Sequence, residues 1–141
     1  MSIAYVDANV FVYAFLKTKR QLQPNELEIK QAAKNIVARI SKGEKVITSV
    51  VHFSEVCNVL EDHLSFEEAI LLKKGLLYRE NVSICEVTQE IYIKAVSVAE
   101  DFKVGVNDAL AYVIMKGAGI ESIYSFDKDF DVFVDIKRVI K

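Results

Sequence analysis

The sequence predicts an α/β fold built around a mainly parallel sheet. Three observations carry this expectation. Short β-branched runs alternate with longer segments of helical period, five such runs can be counted, and one Pro and five Gly among 141 residues leave no room for a long disordered tail or low-complexity linker. The candidate strands are "IAYVD" at 3–7, "KVITS" at 45–49, "VSICEVT" at 82–88, "SIYSF" at 122–126 and "DIKRVI" at 135–140.

Helices fill the intervals. A short one is expected over 9–16, and an amphipathic one over 25–40 that begins after Pro24 and stops before Gly43, where C-cap chemistry belongs. "HFSEVCNVLEDHL" at 52–64 supplies a third. Ser65 and Glu68 have capping-box spacing and open a fourth over 65–78. "QEIYIKAVSVAEDF" at 89–102 is the fifth, and "NDALAYVIMKGAG" at 107–119 the sixth, with Asn107 as its N-cap and Gly117 or Gly119 near its end.

The totals narrow the function classes. A chain of 141 residues with 52% hydrophobic and 27% charged residues can bury a core as one domain, 1–141, without disulfides or a structural metal. A net charge of −2 offers no global attraction for nucleic acid, so any such binding must use local basic clusters or a cation. Cys57 and Cys85 show neither CxxC nor Cys/His metal spacing, which fits a reducing cytoplasm. No run reaches the roughly 18 apolar residues of a membrane span, so a soluble protein without membrane contact is expected.

Ligands of open parallel sheets gather beyond the carboxyl ends of the strands. Four acids fall there or at a helix start: Asp7 closes the first strand, Glu55 lies early in the helix after the second, Asp108 opens the sixth helix and Asp127 follows the fourth strand. Taken singly, Asp7 and Asp127 read as caps or turn residues, Asp108 as a partner of the helix dipole, and Glu55 as an exposed-face residue. Taken together they must share protons or a divalent cation, because clustered carboxylates repel. Oxygen-only ligands select hard ions, and Mg2+ or Mn2+ suits phosphodiester hydrolysis.

"YVDANVFVYAF", "TSVVHFSEV", "GVNDALAYVIMKGAG" and "SIYSFDKDFD", in this order, resemble a PIN domain, and most of all the VapC-like toxin ribonucleases. The resemblance implies a three-layer α/β/α sandwich, a Mg2+- or Mn2+-dependent endoribonuclease, a homodimer, and a small antitoxin that occludes the acidic pocket. By the same resemblance Asp7, Glu55, Asp108 and Asp127 are the metal-holding catalytic acids, with Asn9 and Ser125 as supporting polar positions. "FDKDFD" leaves the fourth acid open between Asp127 and Asp129, with Asp127 preferred.

Basic residues beside these acids are candidate RNA contacts: Lys17, Lys19 and Arg20 after the first helix, and Lys128 next to Asp127. His52 and His63 lie outside the matched set and read as structural or exposed. A phosphatase of the haloacid dehalogenase type needs a second Asp where Asn9 stands, and a phosphoacceptor receiver domain needs adjacent early acids, so both rank lower. A catalytically inactive PIN-like binding module and a housekeeping RNA-processing nuclease are the remaining alternatives.

Overall fold

In a computed structural model, which describes residues 3–16 and 20–140, five strands form one sheet in the order β3-β2-β1-β4-β5, and every neighbouring pair is parallel. The strands are β1 (Ala4–Val6), β2 (Val46–Ser49), β3 (Val82–Cys85), β4 (Ser122–Tyr124) and β5 (Lys137–Val139). The helices are α1 (Ala8–Phe15), α2 (Pro24–Ser41), α3 (Val50–His63), α4 (Phe66–Leu77), α5 (Gln89–Phe102) and α6 (Val106–Ala118). A five-residue 3₁₀ helix, Lys128–Val132, joins β4 to β5.

Side-chain alternation along the strands separates the two faces of the sheet. Tyr5 faces a cluster with Ala111, Met115 and Ile123, while Val6, the next residue, faces one with Val10, Ile36, Val56 and Leu60. Val46 and Ile47 of β2 divide in the same way. Helices α1 to α4 therefore supply the core of one layer and α5 and α6 that of the other, which gives the three-layer sandwich. Both cysteines are free, and among the described residues no helix is long and apolar enough to cross a membrane.

Helix ends follow local chemistry. Pro24 occupies the first turn of α2, where a missing N–H costs nothing, and the Gln23 and Glu26 side chains complete a reciprocal cap. Ser65 and Glu68 form the expected capping box of α4. Gly43, just past the end of α2, has φ +112°, and Gly119 caps α6 at φ +70°, both in the left-handed region that favours glycine.

Three expectations are corrected. The third strand stops at Cys85 rather than 88, because the Thr88 hydroxyl accepts a hydrogen bond from the Ile91 N–H and caps α5 instead. The fourth strand stops at Tyr124, since Ser125 and Phe126 turn into the loop whose Asp127 caps the 3₁₀ helix by accepting from the Asp129 N–H. Asn107 is not an N-cap. Gly105 takes that position, which places Asn107 inside the first turn of α6 with its side chain free for other partners.

Candidate metal centre at the carboxyl end of the sheet

Strand order reverses at β1, whose neighbours β2 and β4 lie on opposite sides. Such a switch point opens a crevice beyond the strand ends. Asp7 leaves β1 into it, with its N–H donating to the Tyr124 carbonyl of β4 at 3.0 Å. Although Asp7 occupies the N-cap position of α1, its side chain makes no cap bond there. Its Oδ2 instead accepts from the Ser125 hydroxyl at 2.7 Å.

Ser125 is fully buried and does two jobs, donating to Asp7 while its Oγ accepts from the Asp127 N–H at 3.0 Å. Asn9, one residue into the first turn of α1, accepts through Oδ1 from the Phe126 N–H at 3.4 Å. Together they tie the loop at 125–127 to the end of β1. The two small polar positions singled out by the resemblance are thus beside Asp7 and Asp127.

Asp108, Asp127 and Asp129 each offer a carboxylate oxygen, and these oxygens lie within 4.8 Å of one another. Asp108 and Asp127 are half-buried and Asp129 is exposed, so the group opens to solvent. Asp7 and Glu55 stand outside this tight triplet but within its field. Asp108 is pushed up to about 7, first by burial and then by the charges of Asp127, Asp7, Asp129 and Glu55. Asp7, 7% exposed, is pushed up to about 6, chiefly by burial and further by Glu55 and Asp127, with the Ser125 hydrogen bond opposing. Among the described residues no Lys or Arg forms an ion pair with any of these five acids.

Glu55 is reached from α3. Ser49 caps that helix by accepting from the His52 N–H at 3.1 Å, and Glu55 follows one turn later. Burial raises its carboxyl, and a hydrogen bond from Asn107 opposes this. Asn107 donates from Nδ2 to Glu55 Oε1 at 2.7 Å, while its Oδ1 accepts from the Tyr92 hydroxyl at 2.9 Å. In "GVNDAL" the residue types mark Asp108 as an acid and Asn107 as a helix cap, and nothing in the sequence marks the amide as a partner of Glu55.

His52 is structural. It is 1% exposed, its Nδ1 lies 2.8 Å from the Tyr5 hydroxyl and 2.7 Å from Ser49 Oγ, and its Nε2 lies 3.0 Å from the Asn107 carbonyl. Only a donor can satisfy that carbonyl, so Nε2 carries the proton and Nδ1 accepts. Burial holds the imidazole down at about 4. His63, on the exposed end of α3, places Nδ1 3.0 Å from the Val59 carbonyl of its own helix.

The basic candidates divide. Lys17 and Lys19 lie outside the described residues. Arg20 makes two bonds to Glu26, Nη1 to Oε1 at 3.0 Å and Nη2 to Oε2 at 2.6 Å. Lys128 is exposed at the start of the 3₁₀ helix, beside Asp127.

The donor set fits a hard divalent cation: converging carboxylates, no counter-cation among the described residues, and a solvent opening for water ligands. It suits Mg2+ or Mn2+ better than a soft-ligand metal, since no Cys or His joins it.

Comparison with known proteins agrees with this architecture. Over 98% of this chain and 99% of the other, the structure is similar to VapC20 of Mycobacterium tuberculosis, a sarcin-ricin loop cleaving toxin, with a TM-score of 0.72 and 22% identity. PAE2754 of Pyrobaculum aerophilum matches with a TM-score of 0.65 and 16% identity over 99% of this chain and 91% of its own. VapBC2 of Rickettsia felis, solved bound to a DNA fragment from its promoter, matches with a TM-score of 0.64 and 12% identity over 97% of each chain. No curated protein sequence matches the chain significantly. The PIN domain family model matches residues 4–135, which include every acid described above, and the chain belongs to the PIN domain family.

Proposed function

We propose that this protein is a Mg2+- or Mn2+-dependent endoribonuclease that hydrolyses RNA phosphodiester bonds, and that it serves as the toxin of a VapBC-type pair. The observation that carries the reading is the convergence of Asp7, Glu55, Asp108, Asp127 and Asp129 in one field at the sheet's switch point, without a basic partner among the described residues. Five such acids are costly together unless a cation or protons offset their repulsion.

Asp7, Glu55, Asp108 and Asp127 hold the ion, with Asp129 as a further ligand at the open side. A divalent cation bound there supplies charge neutralisation on a phosphodiester and a lowered pKa for water. Ser125 and Asn9 keep the loop at 125–127 against β1, and a carboxylate of the cluster takes the proton of the attacking water. Lys128 is placed to meet a phosphate next to the acids, with Lys17, Lys19 and Arg20 as further contacts. The likeness to VapBC2 supports a small antitoxin as partner; a homodimer and action in the cytoplasm complete the proposal.

The test is incubation of the purified protein with assorted RNAs and Mg2+ or Mn2+, beside Asp7→Asn. Cleavage by the wild type alone is expected. Cleavage that persists in the variant rejects this site, and no cleavage with any metal favours a binding module.

A further inference from the structure

Resting on the nuclease reading, we infer that Asn107 is a positioning residue that holds the Glu55 carboxylate in the acid cluster, with the Tyr92 hydroxyl locking the amide. The amide is gripped at both ends. Nδ2 donates to Glu55 Oε1 at 2.7 Å, and Oδ1 accepts from Tyr92 at 2.9 Å, so a flipped amide would set its oxygen against a carboxylate oxygen. The main chain is fixed as well, because His52 Nε2 donates to the Asn107 carbonyl at 3.0 Å.

Three elements therefore meet on one residue. Glu55 and His52 come from α3, Tyr92 from α5, and Asn107 from α6, immediately before Asp108. Among the described residues Asn107 is the one hydrogen-bond partner of the Glu55 carboxylate. One carboxylate oxygen, Oε1, is thereby occupied by an amide, and among the described residues Oε2 makes no hydrogen bond. An Asn is suited to this task because it is neutral: it orients an anion without neutralising it, whereas a Lys or Arg in its place would compete with the cation.

The test uses the whole protein and two readouts. In metal-free protein the Asn107 side-chain NH2 protons are followed by NMR; a bond to a carboxylate spreads the pair and slows its exchange, and Glu55→Gln collapses that signature. Mn2+ affinity is then measured for wild type, Asn107→Ala, Tyr92→Phe, Glu55→Gln and the Asn107→Ala/Glu55→Gln double variant. Asn107→Ala is expected to weaken Mn2+ binding by about 10- to 100-fold, Tyr92→Phe by less, and Asn107→Ala to add nothing once Glu55 is Gln. Should Asn107→Ala fail to fold, Tyr92→Phe, which deletes one hydroxyl, carries the same comparison.

A folded Asn107→Ala with wild-type Mn2+ affinity overturns the inference, as do independent, multiplying effects of Asn107 and Glu55. An unspread NH2 pair in the wild type overturns it also. Wild-type protein that binds no Mn2+ overturns the nuclease reading itself, and with it any positioning role, even if the NH2 signature shows the contact to be present.

Discussion

Replacing Asp7 by Asn should make the metal-free protein more stable while abolishing cleavage. The Asp7 carboxyl is 7% exposed, and its titration moves from an ordinary 3.8 to about 6, with burial as the main cause. Roughly two pH units at 1.36 kcal/mol each amount to about 3 kcal/mol of charge burial. The sign follows from linkage. A carboxyl whose folded value is raised binds more protons folded than unfolded, so its stabilising contribution is complete below 3.8 and is lost as the pH climbs through about 6. At pH 7.5 the wild type bears the whole cost and the variant bears none. The new amide oxygen can still accept from Ser125, but the new NH2 group needs a partner, which offsets on the order of 1 kcal/mol. A net gain of about 2 kcal/mol corresponds to a rise in melting temperature of roughly 6 to 10 °C for a chain of this size. The assay is thermal unfolding in EDTA at pH 7.5 and pH 4. Near pH 4 the wild-type acid is mostly protonated and the difference should shrink toward zero. A variant that is less stable at pH 7.5, or a gain of equal size at both pH values, refutes the reasoning.

Further predictions concern the same cluster and its supports. Mn2+ affinity should strengthen as pH rises from 5.5 to 7.5, because Asp7 at about 6 and Asp108 at about 7 must lose their protons to bind the ion; calorimetric titration at the two pH values checks this. Asp129→Asn should weaken Mn2+ binding, whereas Asp131→Asn should leave it unchanged, since Asp131 is engaged by Arg138 at 2.9 Å and 3.2 Å and lies outside the triplet. His52→Ala should cost about 2 to 4 kcal/mol in urea unfolding, because it opens a cavity and strips the Tyr5 hydroxyl and the Asn107 carbonyl of their shared partner.

Where alternation or a run of acids marked the chain, the structure was readable from residues alone. The β1 segment announces itself because Tyr5 and Val6 must face opposite cores, and the end of that strand is where a buried acid finds a crevice. Asp108 and Asp127 were legible for the same reason, as polar residues at the edges of apolar elements. Convergence was expected from the shared placement of the four acids and from the family resemblance, but the contacts that bring Glu55 to Asn107, next to Asp108, depend on how α3 meets α6, a tertiary fact with no local trace. The 3₁₀ helix was equally hidden, since "FDKDFD" has no helical period and its fold depends on Asp127 accepting from Asp129. Asn107 resembled a cap because its type and place allow that role, and only the Glu55 and Tyr92 contacts reveal why its side chain is used elsewhere.

Anomalous scattering from a crystal grown with Mn2+ tests the shared cation most directly. The account predicts a peak among Asp7, Glu55, Asp108 and Asp127, within coordination distance of their carboxylate oxygens. Saturating Mn2+ that leaves this crevice without a peak, in a crystal whose fold is intact, would contradict it.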